Sequence, residues 1–434
     1  MSLSRIQTAR DSVRSVYNDY PRQFWLLVGA SFIDQVGNAL IFPFFAMFLT
    51  DHYGIDLAQA GVIFAIYAGT GLIGGTLGGA MADRFGRKPI ALLSLVMSAA
   101  GNLAMVLAHS LTLLYVIAAV IGVVGSIGGP AWQAMMADLL PEQKRAEGYG
   151  IIRVTFNLAV TFGPIIGGLL AALSYLLLFS VDAATSFITA GILFVLLRET
   201  RPERAETDAP VETLTQTFRG YGKVFHDKLF MTFAVLGMVV WLVYFQMNST
   251  LSVYLRDEHG IEPWGFGLLL SMNAIMVVLL QFSVTRYVSK RAFPSMLVLA
   301  VGTLLYAVGF SMFGFAASIA LFVAAMVIIT VGEMLVVPIG QAIAARLAPE
   351  DMRGRYMAVF GFGFAIASGS GTWLAGQIKA QLGFEWVWYL GGIVAGLAAL
   401  AYLTLQIRAD AAAFAVEEPV LEPTLEFSTE QGGG

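Results

Sequence analysis

The chain has 434 residues and a formal net charge of −4, is 58% hydrophobic and 12% charged, and has a mean hydropathy of +0.76. A soluble domain carries about 25% charged residues, so this composition excludes a water-soluble monomer and makes lipid the solvent for most of the chain. There is no cysteine, which excludes disulfides, iron–sulfur clusters and thiolate metal sites, and His52, His109, His226 and His259 show no ligand spacing, so neither metal nor cofactor is expected.

Residues 1–23 carry four arginines and read as a cytoplasmic arm. Ile6, Val13, Val16, Tyr17 and Tyr20 fall near helical spacing, so the arm either lies on the inner membrane surface or is disordered. The apolar run that follows, from about Phe24 to Leu49, is too long for a signal-peptide core and reads as a retained first span. A bilayer core needs about 20 apolar helical residues, and twelve runs satisfy this. Six lie near 24–49, 59–82, 89–108, 112–138, 147–172 and 174–197. After a polar linker at 198–228, six more lie near 229–255, 262–285, 294–313, 318–345, 354–378 and 385–407. The tail at 409–434, with Glu417, Glu418, Glu422, Glu426 and Glu430, reads as a disordered acidic end.

The expected fold class is therefore an all-α membrane protein of twelve transmembrane helices in two pseudo-symmetric six-helix bundles, 24–197 and 229–408. The basic residues orient it. Of 25 Lys and Arg, 22 fall on the side of the N-terminus, only Arg256 and Lys379 on the other, and Arg153 inside a span. The positive-inside rule then places both termini and the linker in the cytoplasm of a cell-membrane protein. The halves also repeat. PAWQAMMADLLPEQKR from Pro130 aligns with PIGQAIAARLAPEDMR from Pro338, matching Gln133 with Gln341, Pro141 with Pro349, Glu142 with Glu350 and Arg145 with Arg353. Two parallel six-helix units imply a pseudo-two-fold axis along the membrane normal and a site at their interface.

The loop after the second span reads Gly79-Ala-Met-Ala-Asp83-Arg84-Phe-Gly86-Arg87-Lys88. It resembles the G-x-x-x-D-R-x-G-R-K signature of the major facilitator superfamily; the bland alternative is a generic positive-inside loop. In this reading Gly79 permits close helix approach, Asp83 accepts from arginines or caps a helix N-terminus, and Gly86 allows a tight turn. Arg87 and Lys88 hold the loop at the anionic face, and Asp138 and Arg145 join Asp83 in a gate. Gly163-Pro164-Ile-Ile-Gly167-Gly168 resembles the G-P-x-x-G-G element of the antiporter branch, with an ordinary packing seam as the competing reading. Gly69-x-Gly71-x-x-Gly74 and Asn248-Ser-Thr fit a dinucleotide fingerprint and a glycosylation sequon, but both fall inside spans and are rejected.

A carboxylate at the bilayer centre costs about 2.5–3.5 kcal/mol, so ionisable residues within spans are informative. Asp34 lies roughly 15 Å into the first span at about 1.5 Å per residue, and Glu333 lies near the middle of the tenth. The resemblance implies that spans 1, 4, 7 and 10 line a central cavity, where both carboxyls could load and release protons; a hydrogen-bonded structural role is the alternative. Asp182 reads as structural, and Arg153 either as a counter-charge for a carboxylate or an anion site or as a structural partner. Gln35, Asn38, Gln133, Gln246, Asn248 and Gln341 are polar cavity candidates.

The resemblance runs over about residues 20–408 and is closest to drug:proton antiporters, including those with a Gly-Glu-x-x-x-x-Pro setting in the tenth span, here Gly332-Glu333 to Pro338. Two departures stand out. The second-half counterpart of the Asp83 loop, Thr285-Arg286 to Lys290-Arg291, is degraded, and the fourth span lacks the arginine common in antiporters. The implied function is proton-coupled export of small lipophilic or drug-like molecules by alternating access, in a monomer that engages a small-molecule substrate, protons and the bilayer but no nucleic acid. The alternatives are proton-coupled uptake of a small metabolite or peptide, and a non-transporting membrane receptor. No nucleophile–base constellation suggests an enzyme.

Overall fold

The computed structural model describes residues 17–201, 221–291, 293–349 and 352–417. Most of the expected arm and linker, and the tail from 418 onward, lie outside these residues. Among the described residues twelve helices are long and apolar enough to cross a membrane. They are α1 (Arg22–His52), α2 (Leu57–Phe85), α3 (Arg87–Leu107), α4 (Leu111–Leu139), α5 (Glu142–Leu173) and α6 (Tyr175–Leu196), then α7 (Lys228–His259), α8 (Pro263–Lys290), α9 (Ser295–Phe315), α10 (Ile319–Leu347), α11 (Arg353–Leu382) and α12 (Glu385–Glu417). The expected spans match in number and order. Helix α12 runs on to Glu417, so the first residues of the expected disordered tail are helical, and Lys144 and Arg145 lie in the first turns of α5 rather than in a loop.

Polar residues at the run ends set the helix boundaries. Asp56 accepts from the Gln59 backbone N–H at 2.7 Å while the Gln59 side chain reaches back to Asp56, a reciprocal capping box. Ser110 and Asp227 cap α4 and α7 by accepting from the Leu113 and Phe230 backbone N–H groups. Gly86, with φ at 102°, makes the turn between α2 and α3 that side chains resist. Pro43 sits in a 3-10 turn that interrupts α1, and Pro164 and Pro338 lie inside α5 and α10. Large apolar side chains such as Phe194, Val195, Leu279 and Phe282 stand exposed, the arrangement expected where lipid rather than water covers the outside.

Packing repeats the internal symmetry of the sequence. In the first half α1 packs on α5 and α6, α2 on α4, and α3 on α4 and α6; in the second α7 packs on α11 and α12, α8 on α10, and α9 on α10 and α12. Between the halves α2 meets α11 and α5 meets α8, a pair of contacts that exchange under the same symmetry.

Polar contacts define two ends of the molecule. At the terminal face Tyr20 bonds Glu147 at 2.8 Å, Gln23 bonds the Leu196 carbonyl, and Tyr356 bonds Asp227 at 2.9 Å. At the far face Lys379 pairs with Asp257 at 2.9 Å. There Arg256 of α7 crosses to α1, donating to Thr50 at 3.0 Å and the Met47 carbonyl at 3.3 Å and lying 3.7 Å from Asp51. Glycines close the same end. A Cβ on Gly61 would lie 2.2 Å from the Trp373 backbone, one on Gly376 2.2 Å from Ala58, and one on Gly168 2.7 Å from Pro263. The halves are thus shut at the far face.

Candidate functional site

Two chambers lie in the interior. The first, about 510 Å³, is in the first half and is lined by Ser31, Asp34, Gln35, Asn38, Asn102, Gln133 and Ser186 among others. Gln133 and Tyr149, on the terminal-face portions of α4 and α5, line it and are exposed, so it opens toward the terminal face. The second, about 300 Å³, lies between the halves and is lined by Phe42, Phe156, Tyr244, Phe245 and Phe364, with Asn157, Asn248, Asn273 and Glu333 as its polar groups. The sets share no residue. They flank α1, where Asn38 faces one and Ala39 the other.

Asp34 is held by two donors. Ser186 Oγ donates to its Oδ1 at 3.0 Å and Asn38 Nδ2 to its Oδ2 at 3.3 Å. Asp182, expected to be structural, is buried one turn before Ser186, accepts from Asn102 Nδ2 at 2.8 Å and is near enough to Asp34 for their charges to interact. Glycine brings the two together. A Cβ on Gly37 would lie 2.1 Å from Thr185 Oγ1 and 2.8 Å from Asp182 Oδ1, so only a residue without one lets α1 approach α6 this closely.

In the second chamber Asn273 Nδ2 donates to Glu333 Oε2 at 2.8 Å and to Thr330 Oγ1 at 2.9 Å, and the Tyr244 hydroxyl faces the carboxyl. Gly332 lets α9 close onto α10 beside Glu333, since its Cβ would meet the Gly302 carbonyl at 2.7 Å. Among the described residues no Lys, Arg or His lines either chamber. An ionised carboxylate in such a cavity attracts cations and protons and repels anions, at roughly 4 kcal/mol per unit-charge pair at 4 Å in an intermediate dielectric.

Other expected residues lie elsewhere. Gln246 is buried on α7, spending its amide on the Leu242 carbonyl and the Thr250 hydroxyl, and lines neither chamber. Gln341 is exposed outside both. Arg153 is also exposed, and no carboxylate pairs with it among the described residues, so it is not a counter-charge inside the cavity.

The Asp83 loop folds inward. Arg87 bonds Asp138 in a nearly buried ion pair, while Asp83 is 75% exposed and 3.9 Å from Arg87. Lys88 donates to the Phe194 and Leu197 carbonyls at the end of α6 at 2.8 and 2.7 Å. These cations serve protein partners rather than the lipid face. The Arg84 carbonyl accepts from Arg201 while its guanidinium lies over the Phe85 ring at 5.3 Å, and Arg145 Nε donates to the Ala137 and Leu140 carbonyls rather than to an acid. The cap on α3 is Glu199, unforeseen at the sequence level, which accepts from the Arg87 and Lys88 backbone N–H groups at 3.1 and 3.2 Å. A Cβ on Gly79 would meet nothing closer than Pro130 Cβ at 4.0 Å, and the close approach belongs to Gly74 and Gly78, whose Cβ positions meet the Val123 and Ile127 carbonyls. Gly163 and Gly167 pack on α1, against Ala39 and Leu40, and Gly168 on α8; a Cβ on Gly267 of α8 would lie 2.2 Å from the Pro164 carbonyl.

Known proteins share this architecture. A Na(+), Li(+), K(+)/H(+) antiporter of Planococcus maritimus is 28% identical over 412 residues, covering 89% of this chain and 96% of the relative. Multidrug resistance protein MdtH of Enterobacter sp. (strain 638) is 24% identical over 403 residues, covering 92% and 97%. Among solved structures, a POT family transporter in complex with a thioalcohol-conjugated peptide superposes with a TM-score of 0.73 at 17% identity, covering 89% of this chain and 96% of that one. The sequence matches the Major Facilitator Superfamily over residues 27–335 and 293–429, and the chain belongs to that family of membrane transporters.

Proposed function

We propose that the protein is a proton-coupled antiporter that exports cations, among them small lipophilic drug-like ones, from the cytoplasm across the cell membrane. The observation that carries this reading is that each chamber holds a carboxylate and, among the described residues, neither is lined by a basic one. A proton or a cation can neutralise Asp34 or Glu333, so the two compete for one charge, and alternating access converts that competition into exchange. The terminal face, with 22 of the 25 Lys and Arg, is the cytoplasmic face. The conformer described here, shut at the far face, then loads substrate from inside. Relatives named for cation/proton antiport and multidrug resistance support exchange and export. Peptide uptake fits less well, because the carboxylate end of a peptide would find no cationic partner in either chamber.

Protein reconstituted in liposomes with an imposed pH gradient tests this. Ethidium, tetraphenylphosphonium, sodium or potassium should move against the proton flux, and Glu333→Gln should reduce pH-driven ethidium accumulation at least tenfold. Proton-driven dipeptide entry without cation movement would refute export and favour uptake; absence of any flux would favour a receptor.

A further inference from the structure

The two chambers have different chemistry. The one between the halves is walled by aromatic rings around a single carboxylate, a surface suited to organic cations through ring-face attraction and apolar burial. The one in the first half is an oxygen-lined compartment. Asn38 and Asn102 each turn their amide N–H₂ toward a carboxylate, on Asp34 and Asp182 respectively, and their carbonyl oxygens accept no hydrogen bond among the described residues. The side chains of Gln35 and Gln133 line it as well, unengaged in the same sense. Oxygen donors of this kind suit hard cations. The volume, about 510 Å³, far exceeds the roughly 10–15 Å³ that one water needs, so an ion can enter with part of its hydration shell.

Building on the proposed exchange, we infer that the first-half chamber is a site for an alkali-metal cation, bound by Asp34 with the amide oxygens of Asn38 and Asn102, and separate from the organic-cation chamber at Glu333. Asp182 stands behind the wall, buried and bonded to Asn102. Its proximity to Asp34 makes double ionisation costly without a cation present. The proposed exchange requires one proton on the pair when no cation is bound. Binding replaces the carboxyl O–H bond with an oxygen–metal contact, and the proton leaves to water, so one monovalent ion exchanges for one proton with charge balanced. Among the described residues, Tyr67 and Tyr149 are the other titratable groups lining the chamber, and no Lys, Arg or His does.

The test uses the purified full chain in weakly buffered detergent with a pH-indicating dye, and compares sodium chloride, potassium chloride, choline chloride and tetraphenylphosphonium chloride. In Glu333→Gln, where the organic-cation chamber has lost its charge, sodium or potassium should release protons saturably where choline does not. Saturating sodium should change the apparent tetraphenylphosphonium affinity by less than twofold. Asp34→Asn should abolish the sodium-induced release, and Asn38→Ala should weaken sodium affinity at least fivefold while its tetraphenylphosphonium response reports a folded protein. Competition between sodium and tetraphenylphosphonium, sodium-induced release unaltered in both variants, or release by tetraphenylphosphonium alone would overturn the alkali-cation site and leave cation/proton exchange standing. No release with any cation would overturn the exchange itself.

Discussion

Replacing Gly376 with alanine tests how the far face is held shut. The added methyl would sit 2.2 Å from the Ala58 nitrogen, 2.5 Å from its Cα and 2.7 Å from the Leu57 carbonyl carbon, all backbone atoms that no rotamer change can move. Ordinary contact needs another ångström or more, so α2 and α11 must separate. Forcing a methylene into a packed interface costs about 1–3 kcal/mol, and apolar helices in lipid have little but close packing to hold them together. The cost falls on the far-closed conformer alone, because opening the far face parts these helices. Taking about 2 kcal/mol at ~1.4 kcal/mol per tenfold, the equilibrium shifts about 30-fold, and a protein about 99% closed would fall to about 80%. Spin labels at His109→Cys and Gln381→Cys, both exposed far-face positions in a chain without native cysteine, should report a new long-distance population in Gly376→Ala. Gly69→Ala is the control, since nothing lies within 4 Å of its Cβ position. An unchanged distance distribution in Gly376→Ala would refute the reasoning.

Two further outcomes are expected. Partial burial alone would raise the Glu199 carboxyl, but backbone N–H donors from Arg201, Arg87, Lys88 and Thr200 outweigh it and hold the group below its ordinary value. Its stabilisation is therefore present above the unfolded value of about 4.3 and lost as pH falls through the lower folded value. Thermal unfolding in detergent should show Glu199→Gln below wild type at pH 7, with the gap narrowing toward pH 3; a gap constant across that range would remove the charge from the argument. For topology, an impermeant thiol reagent added to intact cells should label His109→Cys and not His226→Cys, and the reverse pattern would place the termini outside.

The fold was legible because each lipid-crossing helix must satisfy its own backbone, which leaves apolar runs and loop charges as readable marks. Boundaries shifted where local chemistry is ambiguous: Ala-rich sequence carries α12 on to Glu417, and Pro141 starts α5 before the charged Lys144 and Arg145. Depth along a helix could be counted, so Asp34, Glu333, Gln35, Asn38, Gln133 and Asn248 could be placed near a cavity and do line one. Rotation about the helix axis could not be counted when nearly every face is apolar. Gln246 and Gln341 share that depth but face elsewhere. Partners across the fold were equally hidden. Glu199 reads as linker, Asn273 as one polar residue in an apolar run, and Asp182 as isolated until Gly37 brings it beside Asp34.

The distribution of strong and weak contacts explains how such a molecule can move. The polar contacts of the Asp83 loop stay within the first half: Arg87 with Asp138, Lys88 with the end of α6, and Glu199 with the start of α3. They stiffen that half as a body and need not break when it rocks. What joins the halves is different in kind. Glycine-mediated backbone contacts at α2–α11 and α5–α8, with the bonds of Arg256 to α1, close the far face. Helix contacts built on glycine lose mainly dispersion when they part, a cost spread over many small terms. No buried backbone donor is stranded, because every helix keeps its own hydrogen bonds. Opening the far face therefore asks for the rupture of one arginine's contacts and the separation of two glycine seams. The polar bonding of the Asp83 loop thus sits inside one half, while the contacts that must part on opening lie between the halves.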